Sequence, residues 1–138
     1  QNFAIPFLGI CVGMQLMATN GFEGTSEQGL NWIKGNVIAL KPEPKNKYKI
    51  PHMGWNKINL RKSAHSFSSY LVDDVFYYFV HSYHFVPDNP DDCIAVTDYG
   101  QNVTAIVANE NKIGTQFHPE KSQKAGLTLL SSFLNWRI

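Results

Sequence analysis

The stretch PFLGICVGMQLM, residues 6–17, places Cys11 between two glycines, after an apolar run and before a helix-like run. Residues 6–10 predict a short buried strand, and residues 12–19 predict a helix that ends at an Asn-Gly pair. A Gly-x-Cys-x-Gly turn between a strand and a helix is the pattern of a nucleophile elbow, which lifts a reactive side chain above a sheet. The stretch therefore predicts an α/β fold with Cys11 at a strand end.

An elbow at this position has consequences for Cys11 and its neighbours. We expect side chains at Gly9 and Gly13 to collide with the neighbouring strand and helix. The start of the helix supplies backbone N–H groups and a positive dipole end, which lower the pKa of a thiol and stabilise an oxyanion. The pattern alone is equally compatible with a buried structural cysteine in a glycine-rich turn.

A base for such a thiol is predicted in GTQFHPEK, residues 114–121. Of the five histidines, only His118 has a carboxylate placed to orient it, because Pro119 imposes an extended turn and Glu120 comes next. A His-Pro-Glu turn by itself is more often structural. An activated cysteine, however, needs this combination of a base and an orienting carboxylate. The two motifs together favour catalysis.

The composition indicates a globular protein without an obvious polyanionic partner. The 138 residues, 43% hydrophobic and 17% charged, are enough to bury roughly two-thirds of the unfolded surface. The net charge is +1 and no Lys/Arg-rich block occurs, so nothing indicates a nucleic-acid or membrane partner. No apolar run approaches a bilayer span, and no signal peptide is visible. The two cysteines, Cys11 and Cys93, are too few for a disulfide scaffold, which favours the cytoplasm.

The rest of the chain alternates strand and turn patterns, without repeats or a clear domain boundary. Residues 22–29 are predicted as a loop. Strands are predicted at residues 36–40, 55–60, 75–80, 94–97, 103–108 and 112–116. A final helix, residues 123–137, has one apolar face formed by Leu127, Leu130, Phe133 and Leu134. We expect a mostly parallel sheet with helices on both faces and an antiparallel extension from residues 93 to 116.

The two motifs together resemble class I glutamine amidotransferase domains with a Cys-His-Glu triad. GICVGMQ, residues 9–15, and QFHPEKS, residues 116–122, carry this resemblance. Three further segments resemble the glutaminase subunit of imidazole glycerol phosphate synthase, from histidine biosynthesis. They are SEQGLNWIKGNV at 26–37, IPHMGWNKI at 50–58 and YYFVHSYHF at 77–85, so the resemblance covers essentially the whole chain.

The resemblance implies a flavodoxin-like layered fold and hydrolysis of L-glutamine without a cofactor or metal. It makes Cys11 the nucleophile, His118 the residue that moves the proton and Glu120 the carboxylate that orients it. The N–H of Val12 becomes an oxyanion donor. Three residues resemble the family's substrate-binding positions: Gln15, Ser82 and Tyr83.

The resemblance also implies a partner, a barrel-type synthase subunit that forms a heterodimer with the glutaminase and takes the ammonia directly. Residues that suit the docking face are Met53, Trp55, Asn56, Tyr78 and Lys121. The same catalytic set would serve another synthase, such as one that aminates a surface sugar, and a scaffold that has lost catalysis is a further alternative.

The chain departs from the family's pattern in two places. Val12 stands where the family has leucine, a mild change because the backbone N–H is the functional group there. Family members begin with further strands and helices, including a Pro-Gly-rich loop that contributes to the oxyanion hole. We therefore expect residues 1–138 to form a single domain that lacks those N-terminal elements. A metal site at His52, His81 and His84 is disfavoured, because two of these histidines lie on opposite faces of a strand.

Overall fold

A computed structural model describes residues 4–138 as eleven strands, two α-helices and three 3-10 helices. The strands are β1 Phe7–Ile10, β2 Asn20–Gly21, β3 Glu27–Gln28, β4 Gly35–Ala39, β5 His52–Lys57, β6 Asn59–Leu60, β7 Phe76–His81, β8 Tyr83–Pro87, β9 Cys93–Asp98, β10 Asn102–Asn109 and β11 Lys112–Thr115. The α-helices are α1 Val12–Gln15 and α2 Gln123–Asn135, and the 3-10 helices are Ser66–Tyr70, Pro90–Asp92 and Pro119–Lys121.

The strands form three sheets. A five-stranded sheet has the order β1-β11-β10-β9-β6, a four-stranded sheet has the order β3-β2-β4-β8, and β5 pairs with β7 in a two-stranded ribbon. The α/β class is confirmed, and the antiparallel β9-β10-β11 extension lies where the sequence predicts it. Within residues 4–138 the sheets are mixed rather than mostly parallel, because the parallel pairs are β1–β11 and β2–β4.

The parallel pairing of β1 with β11 decides where the site lies. The register places Ile10 opposite Thr115, and the Cys11 N–H donates to the Thr115 carbonyl at 2.7 Å. The chain segments that follow the two strands therefore leave the sheet at the same edge. This is the edge at which α/β folds place their ligands.

Helix α1 lies against β11 through a close contact between a methionine and a glycine. Met14 is fully buried, and a Cβ built on Gly114 would lie 2.4 Å from its Cγ. Met14 belongs to an apolar cluster with Met17, Ile33 and Phe85. A larger cluster, which includes Phe79, Ile106 and Trp136, lies beneath the five-stranded sheet and α2. Burial of Met14 in the first of these clusters holds α1 in place, since a single helical turn has little stability of its own.

Several element boundaries differ from the sequence prediction. Helix α1 ends at Gln15 rather than near residue 19, and β8, Tyr83–Pro87, was not predicted. Strand β8 was missed because its histidine and proline obscure the strand pattern. Its extended conformation is stabilised by antiparallel pairing with β4. In α2 the buried positions are Gly126 and Leu129, and Phe133 packs against the core, whereas Leu127 and Leu134 are exposed, so the predicted apolar face was wrong in part. None of the described helices is long and apolar enough to cross a membrane.

The two glycines of the elbow have different surroundings. A Cβ on Gly9 would lie 2.6 Å from the Met17 Cε and 2.7 Å from the Gly13 carbonyl oxygen, so the predicted collision is confirmed there. At Gly13 a Cβ would meet nothing within 4 Å, so the predicted collision there was wrong. Helix α1 thus lies close against Gly9, whereas the space beside Gly13 in its first turn is empty.

This difference predicts opposite effects on the free energy of unfolding. Gly9→Ala should destabilise the fold by about 2 kcal/mol, because the new methyl group meets backbone as well as a side chain. Gly13→Ala should be neutral or stabilising by up to about 1 kcal/mol, because alanine is the better helix former. Urea denaturation of both variants measures the difference, and equal destabilisation would contradict it.

Candidate active site

Cys11 occupies the strained corner between β1 and α1. Its backbone has φ 53° and ψ −106°, a conformation that residues other than glycine rarely adopt. The side chain is 8% exposed, while the next residue, Val12, is 62% exposed. Strain of this kind persists only where the surrounding structure enforces it, and it is concentrated at functional sites. The geometry of the predicted elbow is thus present.

The Cys11 sulfur lies near polar groups of two residues that are distant in sequence. It is 3.6 Å from the Gln116 Nε2 and 3.9 Å from the Val80 carbonyl oxygen. Burial raises the pKa of the thiol above its ordinary value, and the charge of Glu120 acts in the same direction. The Val12 N–H, the Gln116 amide and Lys121 lower this pKa without reversing the net effect. The Val12 N–H at the start of α1 lowers the pKa as predicted, but desolvation of the thiolate has the larger effect, so the net shift is upward.

His118 and Glu120 form a hydrogen-bonded pair directly after β11. The His118 Nδ1 lies 2.5 Å from the Glu120 Oε1, and the imidazole is 20% exposed against 46% for the carboxylate. Because the carboxylate only accepts, Nδ1 carries a proton, and in the neutral form of the ring Nε2 keeps its lone pair. The predicted orienting contact between these side chains is present.

The His118 backbone is fixed by strand β7. The His118 N–H donates to the Tyr78 carbonyl at 3.0 Å, and the Ser122 hydroxyl donates to the His118 carbonyl at 2.6 Å. The same hydroxyl oxygen accepts the Tyr78 N–H at 2.9 Å. Strand β7 therefore holds the turn that carries the imidazole.

Cys11 and the His118–Glu120 pair are brought to one edge of the sheet but are not hydrogen-bonded to each other. Among the described residues, the thiol contacts Gln116 and Val80, while the charges of Glu120 and Lys121 are near enough to influence its pKa. Catalytic hydrogen bonds are often long without substrate and shorten in the complex.

The predicted substrate residues are partly brought together. The Gln15 Nε2 donates to the Tyr83 carbonyl at 3.2 Å, so the helix and the start of β8 are joined directly. Ser82 lies between β7 and β8, and its carbonyl accepts the Leu40 N–H at 3.0 Å. These main-chain contacts fix the backbone at both predicted positions.

A cleft of about 250 Å³ opens beside α1 and was not predicted from the sequence. Val12, Gln15, Glu23 and Glu27 contribute to its lining. Its two carboxylates suit the α-ammonium group of an amino acid, and both lie in the segment predicted as a featureless loop. Gln116 is a further candidate residue for which the sequence motifs predict no role, although it lies in QFHPEKS.

The predicted docking residues lie mainly on the β5–β7 ribbon. Trp55 and Tyr78 are opposite one another in the register, with ring centroids 6.0 Å apart. Met53 is 61% exposed and Trp55 is 47% exposed, while Lys121 is also exposed. Asn56 is different, because its amide donates inward to the Asp98 carbonyl at 2.8 Å.

Of the three histidines considered as metal ligands, His52 and His81 contact each other and further protein groups, whereas the His84 Nδ1 is buried without a hydrogen-bond partner. His52 Nδ1 lies 2.9 Å from His81 Nε2, and the remaining ring nitrogens contact Asn56 at 3.3 Å and the Tyr83 carbonyl at 2.8 Å. All four ring nitrogens of His52 and His81 therefore have protein contacts.

Comparison with known proteins agrees with the geometry. The sequence matches the family described as glutamine amidotransferase class-I over residues 2–135. It is 50% identical over 133 residues to the imidazole glycerol phosphate synthase subunit HisH of Rhodospirillum rubrum, covering 96% of this chain and 62% of the relative. The corresponding subunit of Mesorhizobium japonicum is 51% identical over 134 residues, with the same coverage of 96% and 62%.

The fold has a counterpart among solved structures. A glutamine amidotransferase from Thermotoga maritima superposes with a TM-score of 0.58 at 17% identity, covering 94% of this chain and 47% of that one. The chain spans about 62% of the length of the curated relatives named above. By the family match along nearly its whole length, supported by the strained cysteine and the His-Glu pair, the chain belongs to the class-I glutamine amidotransferases.

Proposed function

We propose that this chain is the glutaminase part of an imidazole glycerol phosphate synthase, releasing ammonia from L-glutamine for a synthase subunit. One observation carries the proposal: a strained cysteine after β1 and a hydrogen-bonded His118–Glu120 pair after β11 share an edge because the two strands are paired. The identity of about 50% to HisH subunits favours the histidine pathway over another synthase. The cytoplasm is the compartment we expect for it.

The first step requires the Cys11 proton to be moved during attack. Because burial raises the pKa of this thiol, it is mainly protonated at neutral pH and is not a preformed thiolate. His118 Nε2 takes the proton while the sulfur attacks the side-chain amide carbon of glutamine. The oxyanion of the tetrahedral intermediate is stabilised by the Val12 N–H, and the imidazolium is stabilised by Glu120.

The second step returns the proton and breaks the carbon–nitrogen bond. The imidazolium protonates the leaving nitrogen, so ammonia departs and a cysteinyl thioester remains. His118 then takes a proton from water, whose oxygen attacks the thioester. Glutamate leaves and the thiol is regenerated. No step oxidises or reduces any group, so attack by Cys11 and proton transfer by His118 balance as written.

Glutamine is held by its amino-acid end in this proposal. The Gln15 amide and the main chain of Ser82 and Tyr83 face the α-carboxylate and α-ammonium groups, with the carboxylates of Glu23 and Glu27 along the cleft. This leaves the side-chain amide of glutamine to extend towards the sulfur. The function is tested by measuring glutamate release by the full-length protein with its synthase subunit, beside the Cys11→Ala variant.

Ammonia released into water at neutral pH is protonated and no longer nucleophilic, so the glutaminase needs a partner that receives it directly. The exposed Trp55 and Met53 on the β5–β7 ribbon are the docking residues we propose, together with Tyr78 and Lys121. The ribbon carries the His118 turn through the Tyr78 carbonyl, so a partner bound to it lies close to the triad. Asn56 contributes to the face by holding the backbone of the ribbon rather than by contact.

Truncating Trp55 should weaken the complex most. We expect Trp55→Ala to raise the Kd for the synthase subunit by about 30-fold, because buried aromatics dominate interface energetics. Lys121→Ala should raise it by about threefold, since a peripheral charge contributes less. Binding and glutamine turnover are followed separately by titrating each variant into the synthase.

Two control variants keep this test specific. Trp32 lies outside the ribbon and is 42% exposed. Lys124 is also exposed and is the second residue of α2. Trp32→Ala and Lys124→Ala should leave the affinity unchanged. Unchanged affinity and coupling in both Trp55→Ala and Lys121→Ala would place the docking face elsewhere.

A further inference from the structure

Gln116 is a fully buried polar side chain whose two amide atoms both face the proposed site. Its Nε2 lies 3.6 Å from the Cys11 sulfur, and its Oε1 accepts from the Gln15 Nε2 at 3.1 Å. Burial of an amide is unfavourable unless its hydrogen bonds are made. The groups that satisfy this amide are thus the proposed nucleophile and a proposed substrate-binding residue.

The orientation of the Gln116 amide is determined by its neighbours. The Tyr83 carbonyl can only accept, so Gln15 turns its NH₂ group towards it at 3.2 Å. The second hydrogen of that NH₂ group points at Gln116, which must therefore present its oxygen. The Gln116 NH₂ group is left facing the sulfur, where it favours the thiolate over the thiol.

The far end of this hydrogen-bonded chain is held by two neutral histidines. Burial lowers the pKa of His52 to about 3 and that of His81 to about 4, so each ring carries one proton at neutral pH. The Asn56 amide donates to His52, which then donates to His81. His81 Nδ1 donates to the same Tyr83 carbonyl that accepts from Gln15, at 2.8 Å. Each group in this hydrogen-bond network therefore has a defined role as donor or acceptor.

A purely structural role does not account for this side chain. The Gln116 backbone N–H already donates to the Ala105 carbonyl at 2.9 Å, which anchors the end of β11 whatever the side chain is. An apolar side chain of similar volume would fill the same buried space without the cost of burying an amide. The contacts with Cys11 and Gln15 therefore account for the presence of an amide at this position.

We propose that Gln116 is a positioning residue that holds the Cys11 sulfur and the Gln15 amide in one geometry for attack on glutamine. This rests on the proposed function, in which Cys11 is the nucleophile. One amide thereby links the reacting sulfur to the group that binds the amino-acid end of the substrate. The side-chain amide and the amino-acid end of bound glutamine lie a set distance apart. Holding the Cys11 sulfur and the Gln15 amide at a matching distance therefore favours attack.

Two substitutions separate the two contacts. In Gln116→Glu, one carboxylate oxygen can still accept from Gln15 while the other replaces the donor that faces the sulfur. In Gln116→Met, both contacts are lost in a side chain of similar length. We expect Gln116→Glu to lower kcat for glutamine by about 30-fold with KM nearly unchanged, and Gln116→Met to impair both parameters.

The pKa of the thiol gives a readout that a structural role would not move. Alkylation of Cys11 by iodoacetamide, followed by mass spectrometry of its peptide from pH 6 to 10, measures that pKa directly, with Glu120, Lys121 and His118 as the other charged or titratable groups close by. We expect both variants to raise it, Gln116→Glu by about one unit or more. The measurements use the full-length protein with its synthase subunit, and thermal melting confirms folding.

Gln123→Glu is the matched control, because it makes the same chemical change at an exposed position at the start of α2. It should leave the thiol pKa, kcat and KM unchanged. If Gln116→Met does not fold, the isosteric Gln116→Glu variant carries the test. An unchanged thiol pKa and unchanged kcat in a folded Gln116→Glu variant would overturn the proposal, even with Cys11→Ala inactive. Glutaminase activity in Cys11→Ala would instead overturn the proposed function beneath it.

Discussion

Cys11→Ala should lose glutamine-dependent activity by a factor of about 10⁴ or more while keeping ammonia-dependent activity of the synthase complex. The loss is this large because the thioester cannot form without the sulfur, and the remaining groups only bind substrate and polarise its amide. Added ammonia enters after the thioester step, so the synthase reaction itself is unaffected. Turnover with glutamine and with an ammonium salt, measured on the same complex, gives the ratio.

Cys93→Ala is the matched control for this variant. Both cysteines are free and buried, and the Cys93 thiol donates to the Ala95 carbonyl at 3.4 Å in β9, away from the elbow. Removing either sulfur should therefore cost a similar, small amount of stability, while only Cys11→Ala loses glutamine turnover. Retained glutamine hydrolysis in Cys11→Ala, or equal losses in both variants, would contradict the nucleophile assignment.

Local chemistry made the geometry of the two motifs predictable from the sequence. The glycine spacing around Cys11 and the Pro119 between His118 and Glu120 are short-range constraints that can be recognised in the sequence. The strained φ of Cys11 and the hydrogen bond between His118 and Glu120 are present as those motifs predict. The motifs do not predict how close they lie to each other in space. The pairing of β1 with β11 determines this.

Tertiary burial determined what the sequence analysis missed. The sign of the net Cys11 pKa shift depends on desolvation by elements distant in sequence, so the helix argument predicted the lowering by the Val12 N–H but not the larger effect that opposes it. Gln116 looked like an ordinary strand residue, because its partners Cys11 and Gln15 are about a hundred positions away. The apolar face of α2 was misplaced for a related reason: packing against the sheet selected Leu129 and left Leu127 exposed.

His118→Ala should reduce glutamine turnover by about 10³- to 10⁴-fold, whereas Glu120→Gln should reduce it only about tenfold. In the proposed mechanism the imidazole takes the Cys11 proton and delivers it to the leaving nitrogen, so its loss removes both proton transfers. The carboxylate acts through the imidazole, by fixing its tautomer and stabilising the imidazolium. Glu120→Gln can still accept the His118 Nδ1–H through its amide oxygen, so the tautomer is retained.

Two features of the site limit the loss in Glu120→Gln further. The Glu120 side chain is 46% exposed, so water stabilises the imidazolium in part when the charge is removed. The Glu120 charge also raises the pKa of the Cys11 thiol, so its removal makes the proton easier to take and offsets part of the loss. The kcat for glutamine, with the thiol pKa from alkylation, tests both effects, and the pKa should fall in Glu120→Gln. If Glu120→Gln proved as inactive as Cys11→Ala, the carboxylate would have a direct part in proton transfer, and the orienting role argued for it would be wrong.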